Sequence, residues 1–361
     1  MDVAATAPQQ PVPDAGPADA GVVAGPCDPS IAAAEGVAIA DTGACPGVLP
    51  AAVTCAAEIT ICSGLGSGDT GMYGNAAIRA TSDGWGSAVL TCHRNDVGPS
   101  DLNFLFVPTR SGFVSKAGLG VDVRPLRDGF VASNGSYILP PPAYDFLAHD
   151  GDLRAAQKGG ALYAGPDSAV IVRPADGQLI AESFAADGTS KRTTAIAAVT
   201  PAGLMLDGAM STTGATLVVW QIYGEATATA RWLSADGSAS SAPFAIAGWS
   251  SSAPQTAALA GGAIAIAAEP TSGISARTWR GIVAPGETVE RPAPAWLASR
   301  GDFLLLPRGR AMAFGTEIVA ADGTSCGSVD PGAPLVGIGV DGTAFTARSQ
   351  RTFRIYPQLF R

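Results

Sequence analysis

The chain has 361 residues and a formal net charge of −9, from 22 Lys and Arg against 31 Asp and Glu. Charged residues make up only 15% of it, against about a quarter in ordinary globular domains, and 47% is hydrophobic. This composition excludes a nucleic-acid or anionic-membrane binder, because few basic groups would neutralise phosphates. It also excludes a wholly disordered chain. With 45 Gly and 27 Pro, the sequence favours a turn-rich, all-β protein over a helical one.

The first 26 residues have the composition of a spacer. Pro11–Gly21 is a tract of Pro, Asp, Ala and Gly with almost nothing to bury, so we expect residues 1–26 to be a disordered tether. The tract resembles the tether of myxobacterial-type surface lipoproteins. That resemblance implies a lipid anchor and an extracellular or outer-membrane location, with a leader removed before this start. No apolar run approaches the roughly 20 residues that span a bilayer.

Six cysteines indicate a disulfide framework and an oxidising compartment. No two of them have the C-x-x-C spacing of a metal site, and the alternative is six reduced core cysteines. Cys326 stands apart from the other five, and we predict that it bonds to an N-terminal cysteine and so joins the two ends of the folded chain. The other four would then pair in one of three ways. The six are Cys27, Cys45, Cys55, Cys62, Cys92 and Cys326.

Short apolar runs separated by turn residues predict β-strands. One turn signal is Asn134-Gly135, which predicts a hairpin between Phe130–Ser133 and Ser136–Leu139. In chain order the runs are Ala88–Cys92, Phe104–Val107, Phe130–Ala132, Tyr137–Leu139, Ala169–Arg173, Thr216–Trp220, Ala263–Ala267 and Phe303–Leu306.

An Asp-Gly turn recurs in similar contexts, following Ala-Ala at Asp187 and Asp322 and Ser-Ala at Asp236. Asp187 and Asp236 are 49 residues apart, and Pro285-Gly286 follows after another 49. A period near 48 residues is typical of propeller blades with four antiparallel strands. Residues 160–290 resemble propeller repeats of secreted bacterial proteins. We therefore predict an all-β propeller of about six blades, or seven shorter ones, over residues 63–361, with residues 27–62 as a Cys-rich segment packed on it. The alternative fold is a pair of β-sandwiches.

Two glycine motifs match enzyme signatures only superficially. Gly66–Gly71 fits G-x-G-x-x-G, but turn residues follow it where a dinucleotide site needs a helix. Gly323–Gly327 fits G-x-S-x-G, but no helix or later His follows as a hydrolase needs. We interpret both as turns, the second one carrying a disulfide cysteine. With only two histidines in the chain, we expect neither a metal site nor a cofactor.

One acidic segment and one tryptophan are the candidate binding residues. Asp145, His149, Asp150 and Asp152 lie close in sequence and could bind a ligand or act as acid and base; the alternative is an acidic inter-strand loop. Trp249 lies in a polar stretch, so an exposed ring there could anchor a partner. The other tryptophans are expected to pack between blades.

The sequence thus favours a non-enzymatic, exported or surface-tethered binding or scaffold module for a protein partner. A carbohydrate-binding, lectin-like propeller that engages a cell-surface glycan is the second hypothesis. The third is a hydrolase with Asp145, Asp150 and Asp152 at the mouth of the central channel. Two carboxylates converging in a channel pocket would favour the enzyme, and an exposed apolar patch would favour the protein binder.

Overall fold

The structure is a computed structural model. It describes residues 23–25, 27, 34–36, 45, 52–53, 55, 57–60, 76–81, 88–92, 102–109, 112–134, 143–249, 256–268, 278–349 and 352–360. Side chains are described for residues 27, 45, 55, 58–60, 123–133, 143–249, 256–268, 278–349 and 352–360. The predicted run Tyr137–Leu139 and the Gly66–Gly71 motif lie outside these ranges, as do Cys62 and the side chain of Cys92.

Thirty strands make the described part nearly all-β. The N-terminal strands are β1 Val23–Gly25, β2 Ala34–Gly36, β3 Ala52–Val53 and β4 Ala57–Thr60. The next seven are β5 Ala76–Thr81, β6 Ala88–Cys92, β7 Leu102–Thr109, β8 Gly112–Leu126, β9 Gly129–Asn134, β10 Ala143–Ala148 and β11 Leu153–Lys158.

The repeats of the middle region contain twelve strands. Eight of them are β12 Ala161–Gly165, β13 Ser168–Ala175, β14 Gln178–Ala185, β15 Ser190–Ala198, β16 Leu204–Met210, β17 Thr216–Ile222, β18 Thr227–Leu233 and β19 Phe244–Ala247. The other four are β20 Thr256–Ala258, β21 Ile264–Ala267, β22 Trp279–Val283 and β23 Arg291–Pro292.

The C-terminal region adds seven strands and two short helical turns. These elements are α1 Ala295–Ala298, β24 Leu304–Leu305, a 3₁₀ turn Pro307–Gly309, β25 Ala311–Phe314, β26 Glu317–Ala320, β27 Ser325–Asp330, β28 Leu335–Ile338, β29 Ala344–Ala347 and β30 Thr352–Tyr356.

The described strands form six antiparallel sheets arranged as the blades of a propeller ring, which confirms the predicted fold. Their orders are β5 to β11, β12 to β15, β16 to β19, β20 to β23, β24-β25-β26-β27-β2-β3 and β28-β29-β30-β4-β1. The innermost strands of neighbouring sheets lie side by side around the axis of the ring. β8 contacts β12, β12 contacts β16, and β16 contacts β20. β24 contacts β28, and β28 contacts β5, which closes the ring.

The first sheet contains two four-stranded ladders because β8 changes partner along its length. Its residues up to Leu119 pair with β7, and those from Leu119 to Leu126 pair with β9. The ladders β5 to β8 and β8 to β11 therefore share one strand. Further on, the first strands begin at Ala161, Leu204, Thr256 and Leu304, or 43, 52 and 48 residues apart. These spacings agree with the period near 48 residues.

The predicted Asn134-Gly135 hairpin is wrong. One edge of β9 pairs with β8 and the other with β10, whose Tyr144 lies opposite Ser133. Both edges of β9 are therefore occupied over the residues that the hairpin would use. The strand paired with β9 on the side away from β8 is β10, which begins at Ala143, and Gly135 and Ser136–Leu139 lie outside the described residues.

Apolar clusters fill the space between neighbouring sheets. Val172 and Leu179 of one sheet pack with Val218 and Leu233 of the next, and Trp232 packs with Ile264 across the following gap. β17 is buried along almost its whole length and β21 along all of it, because each is an inner strand of its sheet and is covered on both faces. This double burial explains why such strands were visible in the sequence as continuous apolar runs.

The recurring Asp-Gly turns join the third and fourth strands of successive units. In each, the Asp Oδ1 accepts a hydrogen bond from the backbone N–H two residues later, at 2.8 Å for Asp187 and 2.9 Å for Asp236 and Asp322. The glycine has a positive φ, 83° at Gly188 and Gly237, where side chains are disfavoured. Each turn also rests on the preceding unit, because a Cβ on Gly188 would lie 2.6 Å from the Ala155 Cβ.

The N-terminal segment completes the ring. β4 pairs with β30 and β2 pairs with β27, so the segment expected to pack on the propeller supplies strands to two of its sheets. β1 pairs with β4 although it lies within the expected tether of residues 1–26. Disulfides join Cys45 to Cys326 and Cys27 to Cys55. The predicted covalent link between Cys326 and the N-terminal region is thereby confirmed.

Candidate functional site

The acidic segment does not form one cluster. Asp145 is half-buried in β10, opposite Ala132 and Ala156. His149 and Asp150 are exposed in the turn after β10. Three residues of strand rise place Asp145 about 10 Å from that turn.

The turn itself has the geometry of the other Asp-Gly turns. The Asp150 Oδ1 accepts a hydrogen bond from the backbone N–H of Asp152 at 3.0 Å, and Asp152 is exposed. Asp145 lies in the third strand of its ladder, and Asp150 and Asp152 lie in the turn between the third strand and the fourth, whereas β8, the first strand of the ladder, contacts β12 of the next sheet. The segment therefore lies on the rim of the ring, away from the mouth of the central channel, where the hydrolase hypothesis needs it.

Two aspartates lie in the described innermost strands, Asp122 in β8 and Asp207 in β16, and the side chain is described only for Asp207. The Tyr163 hydroxyl of β12 donates to the Asp207 carbonyl at 2.7 Å, and the Asp207 Oδ1 accepts from the Thr256 hydroxyl of β20 at 3.0 Å. Asp207 thus links three successive units near the axis. Among the described side chains, no group of three or more His, Cys, Asp and Glu could hold a metal ion.

The expected exposure of Trp249 is wrong, since this side chain is only 8% exposed. It packs among the core residues between the sheets β16 to β19 and β20 to β23. The preceding Gly248 has a φ of 62° and donates its N–H to the Ala226 carbonyl at 3.2 Å. This fold-back of the chain turns the Trp249 ring into the core, so it is unavailable as a surface anchor.

Tyr223, in the sheet β16 to β19, is 74% exposed and presents its aromatic ring to solvent. It lies in the turn between β17 and β18, which we name the Tyr223 turn (residues 221–225). The Tyr223 N–H donates to the Gly203 carbonyl at 2.7 Å, and the Glu225 N–H donates to the Ile222 carbonyl at 3.0 Å. The buried Gln221 amide donates to the Glu225 carbonyl. The turn is thus held by hydrogen bonds on both sides of the exposed ring.

The surroundings of the ring combine small and charged groups. Ala202 and Gly203 are exposed beside it, and a Cβ on Gly203 would lie 3.5 Å from the Tyr223 Cβ. The Glu225 side chain is also exposed. The sequence contained a signal for this site, because Tyr223-Gly224 follows the apolar run of β17 and marks a turn. The sequence predicted Trp249 as the exposed aromatic residue instead, because that tryptophan lies in a polar stretch.

The other large exposed hydrophobic residues are isolated. Among the described side chains these are Leu153 and Val289, at 62% and 68% exposure. Both follow turns between third and fourth strands, whereas the Tyr223 turn joins a second strand to a third. Successive turns lie at opposite ends of the strands, so Leu153 and Val289 lie on the opposite face of the ring from Tyr223. Single apolar residues of this kind are normal on protein surfaces.

Fold and surface together define a β-propeller closed by its N-terminal segment. No protein-family model matches the sequence, and no curated protein matches it. The chain is similar to a solved structure from a study of two prolyl endopeptidases, with a TM-score of 0.48 and 12% identity over 76% of this chain. This chain spans 45% of the length of that one.

Two further solved structures are similar to parts of this chain. The β-propeller domain of the Trilobed protease from Pyrococcus furiosus has a TM-score of 0.41 and 10% identity over 78% of this chain and 95% of its own. TolB from Acinetobacter baumannii has a TM-score of 0.34 and 14% identity over 63% of this chain and 59% of its own.

Proposed function

We propose that this chain is a non-catalytic, exported binding module and that the Tyr223 turn contacts a protein partner. The observation that carries the proposal is a tyrosine that is 74% exposed on a turn fixed by backbone hydrogen bonds. Tyrosine is enriched among the residues that dominate the energy of protein interfaces. A fixed turn reduces the ordering cost of binding, because the ring is already held where the partner meets it.

The disulfides support an exported location. Two described disulfides indicate an oxidising environment. Among the described residues, no helix is long and apolar enough to cross a membrane. Attachment to the cell surface through a lipid on the N-terminal tether is part of the proposal, supported by the composition of residues 1–26.

Carbohydrate binding is the second candidate, favoured by the exposed Glu225 carboxylate beside the Tyr223 ring. A sugar ring can pack its apolar face on an aromatic side chain while its hydroxyls donate to a carboxylate. The two candidates differ in their dependence on charge. A glycan site would require the Glu225 carboxylate, whereas a protein contact centred on the ring would tolerate Glu225→Gln.

The test is capture of partners from envelope and culture fractions of the source organism, followed by affinity measurement with the purified partner. We expect Tyr223→Ala to weaken binding at least about tenfold. Leu153→Ala removes a side chain of similar exposure from the opposite face, so it should bind as the wild type does. An Asp150→Asn, Asp152→Asn double variant tests the acidic segment in the same assay. Equal binding by Tyr223→Ala and the wild type would exclude the Tyr223 turn.

A further inference from the structure

The Asp-Gly pairs of the described chain differ in how firmly the structure holds them, and this difference bears on a backbone rearrangement. In that reaction the glycine nitrogen attacks the side-chain carboxyl carbon of the aspartate, and a glycine has no side chain to shield its nitrogen. Ring closure requires rotation about the Cα–C bond of the aspartate. The described pairs begin at Asp128, Asp150, Asp176, Asp187, Asp207, Asp236, Asp322 and Asp341.

Five of these pairs have both reacting groups engaged in hydrogen bonds. In each, the aspartate Oδ1 accepts from the backbone N–H two residues later, at 2.8 Å for Asp187. The glycine N–H donates to the carbonyl two residues before the aspartate, as Gly188 does to Ala185 at 3.0 Å. Ring closure would have to break both hydrogen bonds. The five begin at Asp150, Asp187, Asp236, Asp322 and Asp341.

Two other pairs are held by strand pairing. Gly129 lies in β9 and pairs with Leu126 on one side and Ala148 on the other. Asp207 lies in β16 and pairs with Val219. Ring closure at either pair would take a residue out of its ladder.

Asp176 and Gly177 form the remaining pair, in the exposed two-residue turn between β13 and β14, where Ala175 pairs with Gln178. Their φ angles are 50° and 76°, as a type I′ turn requires. Among the described residues, the Asp176 carboxylate has no hydrogen-bond or ion-pair partner, and the Gly177 N–H donates to no carbonyl. The Gly177 carbonyl accepts from the Val199 N–H at 3.0 Å, which leaves the Gly177 nitrogen free to react.

We propose that Asp176 is the site at which this chain rearranges to isoaspartate. The Gly177 nitrogen bonds to the Asp176 Cγ, and its proton leaves with the carboxyl hydroxyl as water, which gives a five-membered succinimide. Water then adds at the Asp176 backbone carbonyl carbon, and the bond from that carbon to the Gly177 nitrogen breaks. The peptide link now runs through the side chain and a backbone carboxylate is released. Nothing is oxidised or reduced.

The product would alter the end of the ring that carries Tyr223. The Asp176 turn joins a second strand to a third, as the Tyr223 turn does in the next sheet, so both lie at the same end of the strands. An isoaspartate adds a methylene group to the backbone, which disrupts the two-residue spacing between Ala175 and Gln178. The modification does not depend on the proposed binding function.

Asp187 is a matched internal control for Asp176. Both follow an alanine and precede a glycine, and both fall in the tryptic peptide 159–191, because trypsin does not cleave between Arg173 and Pro174. Ring closure loses water from the neutral carboxyl group. Hydrogen bonds from the Thr189 N–H and hydroxyl hold the pKa of Asp187 below its ordinary 3.8, which makes that neutral form rarer at Asp187.

The experiment incubates the folded full chain at about pH 5, near the ordinary pKa of a carboxyl group. Samples are digested with trypsin, and electron-transfer fragmentation of the shared peptide distinguishes isoaspartate from aspartate at each position. We expect isoaspartate to accumulate at Asp176 at least about tenfold faster than at Asp187, because no hydrogen bond of the reacting groups has to break there. Asp176→Glu should remove the product, because its side chain would have to close a six-membered ring, which is much slower.

The same chain unfolded in guanidinium chloride shows whether the difference comes from the fold. We expect similar rates at Asp176 and Asp187 there, because both lie in the same Ala-Asp-Gly sequence. Two results would overturn the proposal. One is isoaspartate at Asp187 in the folded chain at a rate equal to or above that at Asp176. The other is no isoaspartate at Asp176 of the folded chain over a time in which the unfolded chain converts.

Discussion

Glu58 and Arg354 join the two ends of the folded chain. They are 296 residues apart in sequence, yet the Glu58 Oε2 lies 3.2 Å from the Arg354 Nε. The hydroxyls of Thr60 and Thr352 meet at 3.2 Å on the same pair of strands. Together with the Cys45–Cys326 disulfide, these contacts make the N-terminal segment part of the ring, and its strands complete two of the sheets.

Removing the Glu58 carboxylate should destabilise the ring. Glu58→Ala leaves the nearly buried Arg354 without its partner, and we expect a loss of about 2 kcal/mol in the free energy of unfolding. Asp167→Ala is the control, because its pair with Arg127 is exposed and should contribute at most about 1 kcal/mol. Urea denaturation measures both. Equal effects of the two substitutions would contradict the anchoring role of Glu58.

Contact between units should make Gly237 far less tolerant of a side chain than Gly286. Their φ angles are 83° and 84°, so alanine meets the same backbone penalty at both positions, roughly 1 kcal/mol. A Cβ at Gly237 would also lie 2.7 Å from the Ser183 Cβ, whereas nothing lies within 4 Å at Gly286. We expect Gly237→Ala to cost about 2 kcal/mol more than Gly286→Ala in urea unfolding. Indistinguishable costs would show that the turn does not press on the preceding sheet.

The Asp236 turn should contribute a pH-dependent term to stability. Hydrogen bonds from the Ser234 and Ser238 hydroxyls and the Ser238 N–H hold the pKa of Asp236 well below its ordinary 3.8. A depressed folded-state pKa stabilises the fold at a pH above the unfolded-state value, and this stabilisation is lost as the pH falls towards the folded-state value. Asp236→Asn removes the ionisation.

The measurement for Asp236 is the urea midpoint at about pH 6 and about pH 3. We expect the midpoint of the wild type to fall more over this interval than that of Asp236→Asn, because at pH 3 the wild-type residue binds a proton in the unfolded state and remains ionised in the folded state. Ser234→Ala should give an intermediate fall, since it removes one of the hydrogen bonds that lower the pKa. Parallel falls in all three proteins would argue against this role of the turn.

The hydrogen bond between Tyr163 and Asp207 should stabilise the innermost strands. Tyr163→Phe keeps the buried ring but leaves the Asp207 carbonyl without the hydroxyl that lies 2.7 Å away. We expect a loss of about 1 kcal/mol in the free energy of unfolding. Tyr223→Phe is the matched control because its ring is exposed, and it should unfold like the wild type. If Tyr163→Phe and Tyr223→Phe lowered the free energy of unfolding equally, the hydrogen bond between Tyr163 and Asp207 would not contribute to the stability of the ring.

The sequence predicted most reliably what local chemistry determines. Thr216–Trp220 was identified as a strand because β17 is buried on both faces, and the turn at Asp236 because Asp-Gly suits its backbone angles. The link from Cys326 to the N-terminal region followed from the need to close a ring. The sequence did not indicate β16 as a strand so clearly, because its residues from Leu204 to Ala209 are only half-buried and do not form a continuous run of buried apolar side chains.

Features that depend on contacts between distant residues could not be predicted from the sequence. The pairing of β2 with β27 joins residues almost 300 positions apart, and no local pattern specifies such a register. A distant contact also explains why the sequence predicted exposure for Trp249, although Tyr223 is the exposed aromatic residue. Gly248 donates its N–H to the Ala226 carbonyl, and Trp249 packs in the core cluster beside this contact.

The most direct test of a ring closed by its N-terminal segment is peptide mapping of the native chain without reduction. The structure requires a Cys45–Cys326 linked peptide, a bond that closes a loop over a sequence separation of 281 and stabilises by roughly 5 kcal/mol in the chain-entropy model. It also requires Cys27 linked to Cys55, and we expect Cys62 to be linked to Cys92. A free Cys326, or one bonded to a cysteine other than Cys45, would contradict this account of the fold.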